Sequence, residues 1–221
     1  MDNLKQENKK IIDICDLFVT FKNNIESLFS IIKIDDTSPK IERLPIFDIP
    51  QEVRQLDPNL KYRPTHKLTF EGKDTSIFLG DNVIGFDSSK REKEDIGFIS
   101  AILESLKDEI ESISRIGTKR VFNVDSIKGF LAIKIKDKDC LDFLSNVKLT
   151  EENDDNICFV TIINKTFNKI FDKEKQGYIM EIITACEKIG SMGYDDSICD
   201  KIQELYRLQN NKIDEMNSWA V

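Results

Sequence analysis

The distribution of proline is the feature that most constrains how this chain can fold. All five prolines lie between residues 39 and 64. Proline has no backbone N–H and disfavours helix at the residue before it, so we predict a long, extended and irregular excursion at about 35–64. Apolar side chains within the excursion are expected to hold it against a surface: Ile41, Leu44, Ile46, Phe47, Ile49 and Val53.

Hydrophobic patterning predicts regular elements on both sides of this excursion. Residues 10–21 are rich in β-branched and aromatic side chains, which favour a strand. Asn23 or Asn24 can cap a short helix after it, with four apolar residues on one face: Ile25, Leu28, Phe29 and Ile32. Residues 65–86 alternate between apolar and polar side chains around short turns, which predicts a three-stranded antiparallel meander.

The second half of the chain is predicted to mix strands with helices. An apolar stripe predicts a helix at 94–113, formed by Ile96, Ile99, Leu103, Leu106, Ile110 and Ile113. Strands are predicted at 114–125, 130–136 and 157–163, and a polar loop at 150–156. Two C-terminal helices are predicted at about 173–189 and 197–217, with Asp195, Asp196 and Ser197 as capping residues for the second.

These elements predict an α+β fold in which antiparallel β-sheet packs against helices, with two C-terminal helices and the proline-bearing excursion. At 221 residues the chain is expected to form a single domain, 1–221. A subdivision into a sheet–helix half, 1–126, and a second strand–helix half, 127–221, is left open.

Composition narrows the class of protein. The chain has 32 Lys and Arg against 40 Asp and Glu, a net charge of −8, and is 40% hydrophobic. This is the profile of a folded, soluble protein, and net acidity disfavours general nucleic-acid binding. No apolar run is long enough to span a membrane, and the N-terminal residues lack the order of a signal peptide. We therefore expect a cytoplasmic protein with no membrane association.

The chain lacks the residues that several kinds of catalytic site require. The five cysteines form no C-x-x-C motif, and His66 is the only histidine, which excludes a two-histidine metal site. We expect reduced thiols, and His66 as a structural residue at a strand edge. The chain also lacks a glycine-rich phosphate loop and a nucleophile elbow. We therefore predict no enzyme activity, no metal and no cofactor.

Residues 114–124, with the sequence SRIGTKRVFNV, carry the most distinctive motif. This segment resembles the R-x-G-x-R-[YV]-x-N signature strand of a sporadically distributed prokaryotic family of uncharacterised proteins. The order of elements agrees over roughly residues 10–218. The chain departs from the family pattern at 88–93, where aromatic residues are usual, and at Lys119, where an apolar residue is usual. The resemblance implies a fold and supplies no catalytic residues.

The arginines of the motif are predicted to have separate roles. Arg115 and Arg120 are five residues apart, so on a strand they point to opposite faces. Arg120 lies on an apolar face, where we expect a buried ion pair that locks the sheet to a helix. Arg115, Lys119 and Asn123 share the other face and form a candidate site for an anionic group or a partner. Gly117 fits a bulge or a close helix approach.

The sequence leaves three candidate functions to compare. The leading one is a non-catalytic protein-binding or accessory subunit held by a larger effector, because the chain lacks chemistry of its own. The patchy distribution of the resembling family suggests phage defence or toxin–antitoxin systems. The alternative is a nucleic-acid-binding regulator that uses the basic 115–138 strands, with Lys134 and Lys136 extending the site. An enzyme is the least supported, and a homo-oligomer is left open.

Overall fold

Nine strands form one antiparallel sheet in the computed structural model, which describes residues 9–88, 93–124, 146–153, 156–164, 178–186, 194–195 and 197–218. Their order across the sheet is β2-β3-β4-β5-β1-β6-β9-β8-β7. The strands are β1 (Lys9–Phe21), β2 (Lys40–Arg43), β3 (His66–Thr69), β4 (Thr75–Gly80), β5 (Val83–Ser88), β6 (Ile110–Val124), β7 (Asn146–Asn153), β8 (Asn156–Asn164) and β9 (Tyr178–Cys186).

Helices accompany the sheet. In the described part of the chain they are α1 (Ile25–Leu28), α2 (Gln51–Leu56), α3 (Lys93–Leu106) and α4 (Ser197–Ser218), with a short 3₁₀ helix at Pro45–Asp48. The core joins α1, α3 and α4 to the strand face that carries Cys15, Leu17 and Ile116, which we call the inner face. The opposite, outer face carries Asp16 and Lys119. The predicted α+β class, with antiparallel sheet against helices, is confirmed.

Local capping follows the sequence closely. The Asn24 side chain accepts a hydrogen bond of 3.1 Å from the backbone N–H of Ser27 and so begins α1. Asp195 performs the same role for α4, because its Oδ1 accepts from the backbone N–H of Ser197 at 2.9 Å. Both predicted helix starts are confirmed, as are the strand at 10–21 and the three-stranded meander.

The predicted helix at 94–113 is too long at its C-terminal end. Helix α3 ends at Leu106, and β6 begins at Ile110. Two β-bulges account for the error: Phe18 pairs with Arg115 but Val19 with Ile113, and a second register shift falls between Thr20 and Phe21. The buried isoleucines of this strand, Ile110, Ile113 and Ile116, therefore lie three apart and imitate a helical period.

The first of the two predicted C-terminal helices is wrong. Its central part is strand β9, Tyr178–Cys186, which pairs with β6 on one side and β8 on the other. Residues 173–177 and 187–189 lie outside the described residues. The strand carries apolar side chains on both faces, as Ile182 and Ile183 show, so its spacing does not distinguish a strand from a helix.

The proline-bearing excursion is less irregular than predicted. It contains β2, the 3₁₀ helix and α2, although each is only four to six residues long. The predicted loop at 150–156 is also shorter, because β7 continues to Asn153 and β8 starts at Asn156. The strand predicted at 157–163 is confirmed as part of β8, whereas the one predicted at 130–136 lies outside the described residues.

Both halves of the chain contribute to one sheet. Strand β6 belongs to residues 1–126 and pairs from Ile116 to Val124 with β9, which belongs to residues 127–221. Helix α4 packs on β6 and β9 together. Strands from both halves considered from the sequence therefore lie in one hydrogen-bonded sheet.

His66 begins β3 and is buried between two aromatic rings. Phe29 and Phe47 meet its ring edge-on at centroid distances of 4.9 and 5.0 Å. The Thr65 hydroxyl lies 3.0 Å from Nδ1. Burial lowers the pKa of His66, so the folded protein favours the neutral imidazole.

This environment makes stability depend on pH in a defined direction. A pKa below 6.5 in the folded state means that neutral His66 stabilises the fold above that pH, and the contribution is lost as pH falls through 6.5 and below. We predict that the unfolding free energy of the wild type minus that of His66→Phe decreases from pH 8 to pH 5, because phenylalanine does not titrate. Urea denaturation at each pH measures it; a constant or growing difference would contradict the prediction.

Candidate partner-binding surface

Two residues of the predicted anion site, Arg115 and Lys119, lie on the outer face, and each is close to a carboxylate. The Arg115 guanidinium lies over the ring of Phe18, 4.7 Å from its centroid, and Nη1 is 3.9 Å from Oδ2 of Asp16. Lys119 Nζ pairs with Oε1 of Glu181 at 2.8 Å. Both cations are thus compensated by carboxylates of neighbouring strands, which weakens their attraction for an external anion.

Of the other three predicted site residues, the structure describes only the backbone of Asn123. The backbone of Asn123 pairs with Lys9 and Ile179 near the end of β6. Lys134 and Lys136 lie outside the described residues. Arg115 and Lys119 are therefore the two proposed site residues whose side-chain surroundings are described.

Gly117 makes room for a carboxylate rather than for a helix. Asp16 pairs with Gly117 on β6 and with Gly85 on β5, so it is flanked by glycine on both sides. A Cβ on Gly117 would lie 2.6 Å from Oδ1 of Asp16. Burial raises the pKa of Asp16, while the nearby cations Arg115 and Lys119 oppose that shift. The nearest bulge is a few residues before Gly117, at Ser114.

This packing predicts a coupled effect of two substitutions. Gly117→Ala should destabilise the protein by about 1 kcal/mol, because the carboxylate of Asp16 must move away from the strand and from Arg115. In an Asp16→Ala background the same change should cost less or nothing. A double-mutant cycle by chemical denaturation measures this, and equal costs in both backgrounds would contradict the steric explanation.

Arg120 lies on the inner face and joins three elements. Its Nε is 3.6 Å from Oδ1 of Asp13 on β1, and the two side chains are 6% and 3% exposed. Its Nη1 donates a hydrogen bond of 2.9 Å to Oδ1 of Asn210 on α4. The arginine therefore pairs within the sheet and bonds to the helix that covers it.

The feature that sequence reasoning missed is the anchoring of residues 44–65, which we call the 44–65 loop. Arg54 of α2 is buried in it and pairs with Asp81 in the β4–β5 turn, with Nε and Nη2 both 2.8 Å from Oδ2. Arg54 Nη1 also donates to the backbone carbonyls of Phe47 and Ile49. One guanidinium therefore fixes the 3₁₀ helix and α2 to the sheet.

Aromatic contacts hold the loop at two further points. Phe47 contacts His66, and Tyr62 stacks on Phe18 with ring centroids 4.0 Å apart and nearly parallel planes. Lys61 in turn lies over the ring of Tyr62. The loop is therefore held against the inner-face histidine and an outer-face phenylalanine at the same end of the sheet.

The anchored loop presents apolar side chains to solvent. Leu56 is 84% exposed and Val53 is 49% exposed. They are three residues apart on α2 and so share the face opposite buried Arg54. Val53 and Ile41 were expected to pin the excursion to a surface; instead both are exposed, because Arg54 and the aromatic rings make the anchoring contacts.

The Arg54–Asp81 pair should dominate the stability of this loop. Arg54→Met leaves the Asp81 carboxylate buried without its partner, and we expect a loss of about 3–5 kcal/mol. Adding Asp81→Asn removes that buried charge and should recover part of the loss. Unfolding free energies of the two single variants and the double variant test this; additive losses would show that the pair is not coupled.

Other kinds of site find little support in the described residues. Among them, no three His, Cys, Asp or Glu side chains are grouped to hold a metal ion, and no cysteine forms a disulfide. No helix of the described part is long and apolar enough to cross a membrane.

Comparisons with known proteins do not assign this chain to a family. No protein-family model matches it, and no curated protein matches it. Among solved structures, Methanococcus jannaschii TBP is similar at 12% sequence identity over 93% of this chain and 96% of that chain, with a TM-score of 0.27. A score this low carries no argument about fold or function.

Proposed function

We propose that this protein is a non-catalytic, protein-binding accessory subunit that contacts its partner through Val53 and Leu56 of α2. The observation that supports this is the exposure of two large apolar side chains on a loop that a buried arginine holds in place. Exposed apolar groups on a rigid support lose little conformational entropy on binding and often serve as anchors in an interface.

Charge around the apolar pair specifies the partner further. Glu52 precedes Val53 on α2, Asp48 ends the 3₁₀ helix just before α2, and both acidic side chains are exposed. The complementary partner is a protein surface with an apolar cleft bordered by Lys or Arg. Such an interface is predicted to associate faster at low salt than at high salt.

The alternative, a nucleic-acid-binding regulator, is less supported. It needs the basic residues of 115–138 to converge on one exposed face. Arg115 and Lys119 do share a face, but each lies beside a carboxylate, and Arg120 is buried on the other face. Lys134 and Lys136 stay part of that alternative as a prediction from sequence.

The biological setting belongs to the same proposal and derives from the resemblance of the signature strand. In that setting the chain is a cytoplasmic subunit of a prokaryotic system, such as phage defence or toxin–antitoxin, and its partner is a larger effector. The partner's identity, once established by mass spectrometry, decides between these systems.

The test is purification from the native host followed by native mass spectrometry of wild type and matched variants. We predict a stoichiometric second polypeptide with the wild type and with Ala101→Asp, which adds the same charge at an exposed position of α3. Leu56→Asp should lose that partner while retaining its fold. Glu52→Lys should weaken the association, whereas Glu71→Lys in the β3–β4 turn should not.

The mass spectra distinguish failure of the α2 interface from failure of the proposed function. A partner retained by Leu56→Asp would contradict an α2 interface, and a lone mass for the wild type would contradict the accessory-subunit function. Loss of the partner from Ala101→Asp as well would mean that added negative charge, rather than the α2 surface, is responsible.

A further inference from the structure

A groove lies between α3 and α4 on the helix-covered side of the sheet. It has a volume of about 870 Å³ and is lined by Ile96, Gly97 and Ser100 from α3 and, from α4, by residues that include Gln203, Tyr206, Arg207 and Asn210. A Cβ on Gly97 would meet nothing within 4 Å, so the α3 wall is open at that point. This groove is separate from the α2 surface and is large enough for a small molecule.

Arg120 lies one side chain below this groove. Its side chain is 6% exposed, and its Nη1 donates a hydrogen bond to Asn210, an exposed residue that lines the groove. Among the described residues, no hydrogen-bond acceptor satisfies Nε or Nη2 of Arg120. Asp13 compensates the charge, but its Oδ1 is 3.6 Å from Nε, which is beyond a hydrogen bond.

A buried guanidinium with unmade hydrogen bonds is costly. Each buried donor left without an acceptor destabilises a protein, and more so when the group is charged. Arginine presents its N–H groups in a planar fork that matches two oxygens of a carboxylate or phosphate. A ligand oxygen in place of the Asn210 amide would satisfy Nη1, and a second oxygen would satisfy Nη2.

One guanidinium and two carboxylates line the groove itself. Arg207 lines the groove and is exposed. Of the two carboxylates, Glu204 already accepts hydrogen bonds from Lys201 and Asn156, and the Lys201 bond lowers its pKa. Asp200 is exposed. Ser100 and Gln203 provide neutral donors to orient a bound group.

We propose that the α3–α4 groove binds a small molecule through an oxyanion, either a carboxylate or a phosphate, that replaces Asn210 as the acceptor for Arg120. Arg207 provides the second positive charge at the groove. This site is independent of the partner surface on α2, so either proposal can fail without the other.

The test is isothermal titration with inorganic phosphate and, separately, with acetate, at matched ionic strength. We expect millimolar binding of at least one of them by the wild type. Arg207→Gln should weaken it about tenfold, and Arg120→Gln should abolish it. Asn210→Ala should tighten it several-fold, because the competing amide is removed. Arg115→Gln, the same change on the outer face, should have no effect.

The affinities of these variants show whether the groove binds an oxyanion. Binding of phosphate alone identifies a phosphorylated ligand, and binding of acetate alone identifies a carboxylate; either supports the proposal. No binding of either anion, or equal losses in Arg115→Gln and Arg207→Gln, would overturn it. If Arg120→Gln does not fold, the opposite effects of Asn210→Ala and Arg207→Gln still decide the result.

Discussion

The antiparallel pairing of β1 with β6 is the interaction on which the rest of this structure depends. These are the longest strands of the sheet, and they connect the four strands β2–β5 to the three strands β7–β9. The two bulges in β6 allow its buried isoleucines to follow β1 while Arg115 turns to the opposite face. Without this register, neither Asp16 and Gly117 nor Asp13 and Arg120 would face each other.

A layer of polar contacts then positions α4 on the sheet. The hydroxyl groups of Thr118 and Thr184 are 2.6 Å apart, and Thr184 donates to the carbonyl of Leu205. Gln209 donates to the carbonyl of Ile182 at 2.8 Å. Apolar contacts alone permit a helix to slide or rotate, whereas these buried hydrogen bonds select one position along its axis. The groove beside α4 owes its shape to that fixed position.

Much of the fold was predictable because it rests on local patterns. The strand at 10–21, the meander and the last helix each show one period and a matching cap or turn. Strand β9 was not predictable in this way, because both of its faces are apolar and the spacing of its isoleucines fits a helix equally well. The start of strand β6 was predicted wrongly for a different reason. Its two bulges interrupt the two-residue alternation of a strand, so its buried isoleucines are spaced like those of a helix.

The site depends on contacts that sequence does not show. Arg54 and Asp81 are separated by 27 positions, and nothing in their neighbours indicates that they pair. Sequence reasoning assigned Val53 to the anchoring of the loop, yet the anchoring contacts come from Arg54, Phe47 and Tyr62. The 44–65 loop contains several charged residues, including Arg63 and Lys61, so its sequence does not single out Arg54 as the buried charge.

The 44–65 loop begins and ends at adjacent points of the backbone. The N–H of Leu44 bonds to the carbonyl of Thr65 at 2.8 Å, so the segment between them closes on itself. The entropic cost of closing a loop rises only slowly with its length. Residues between those points can therefore be added, removed or exchanged during evolution while the strands on either side keep their register. The sheet can thus remain constant while the surface of the loop changes.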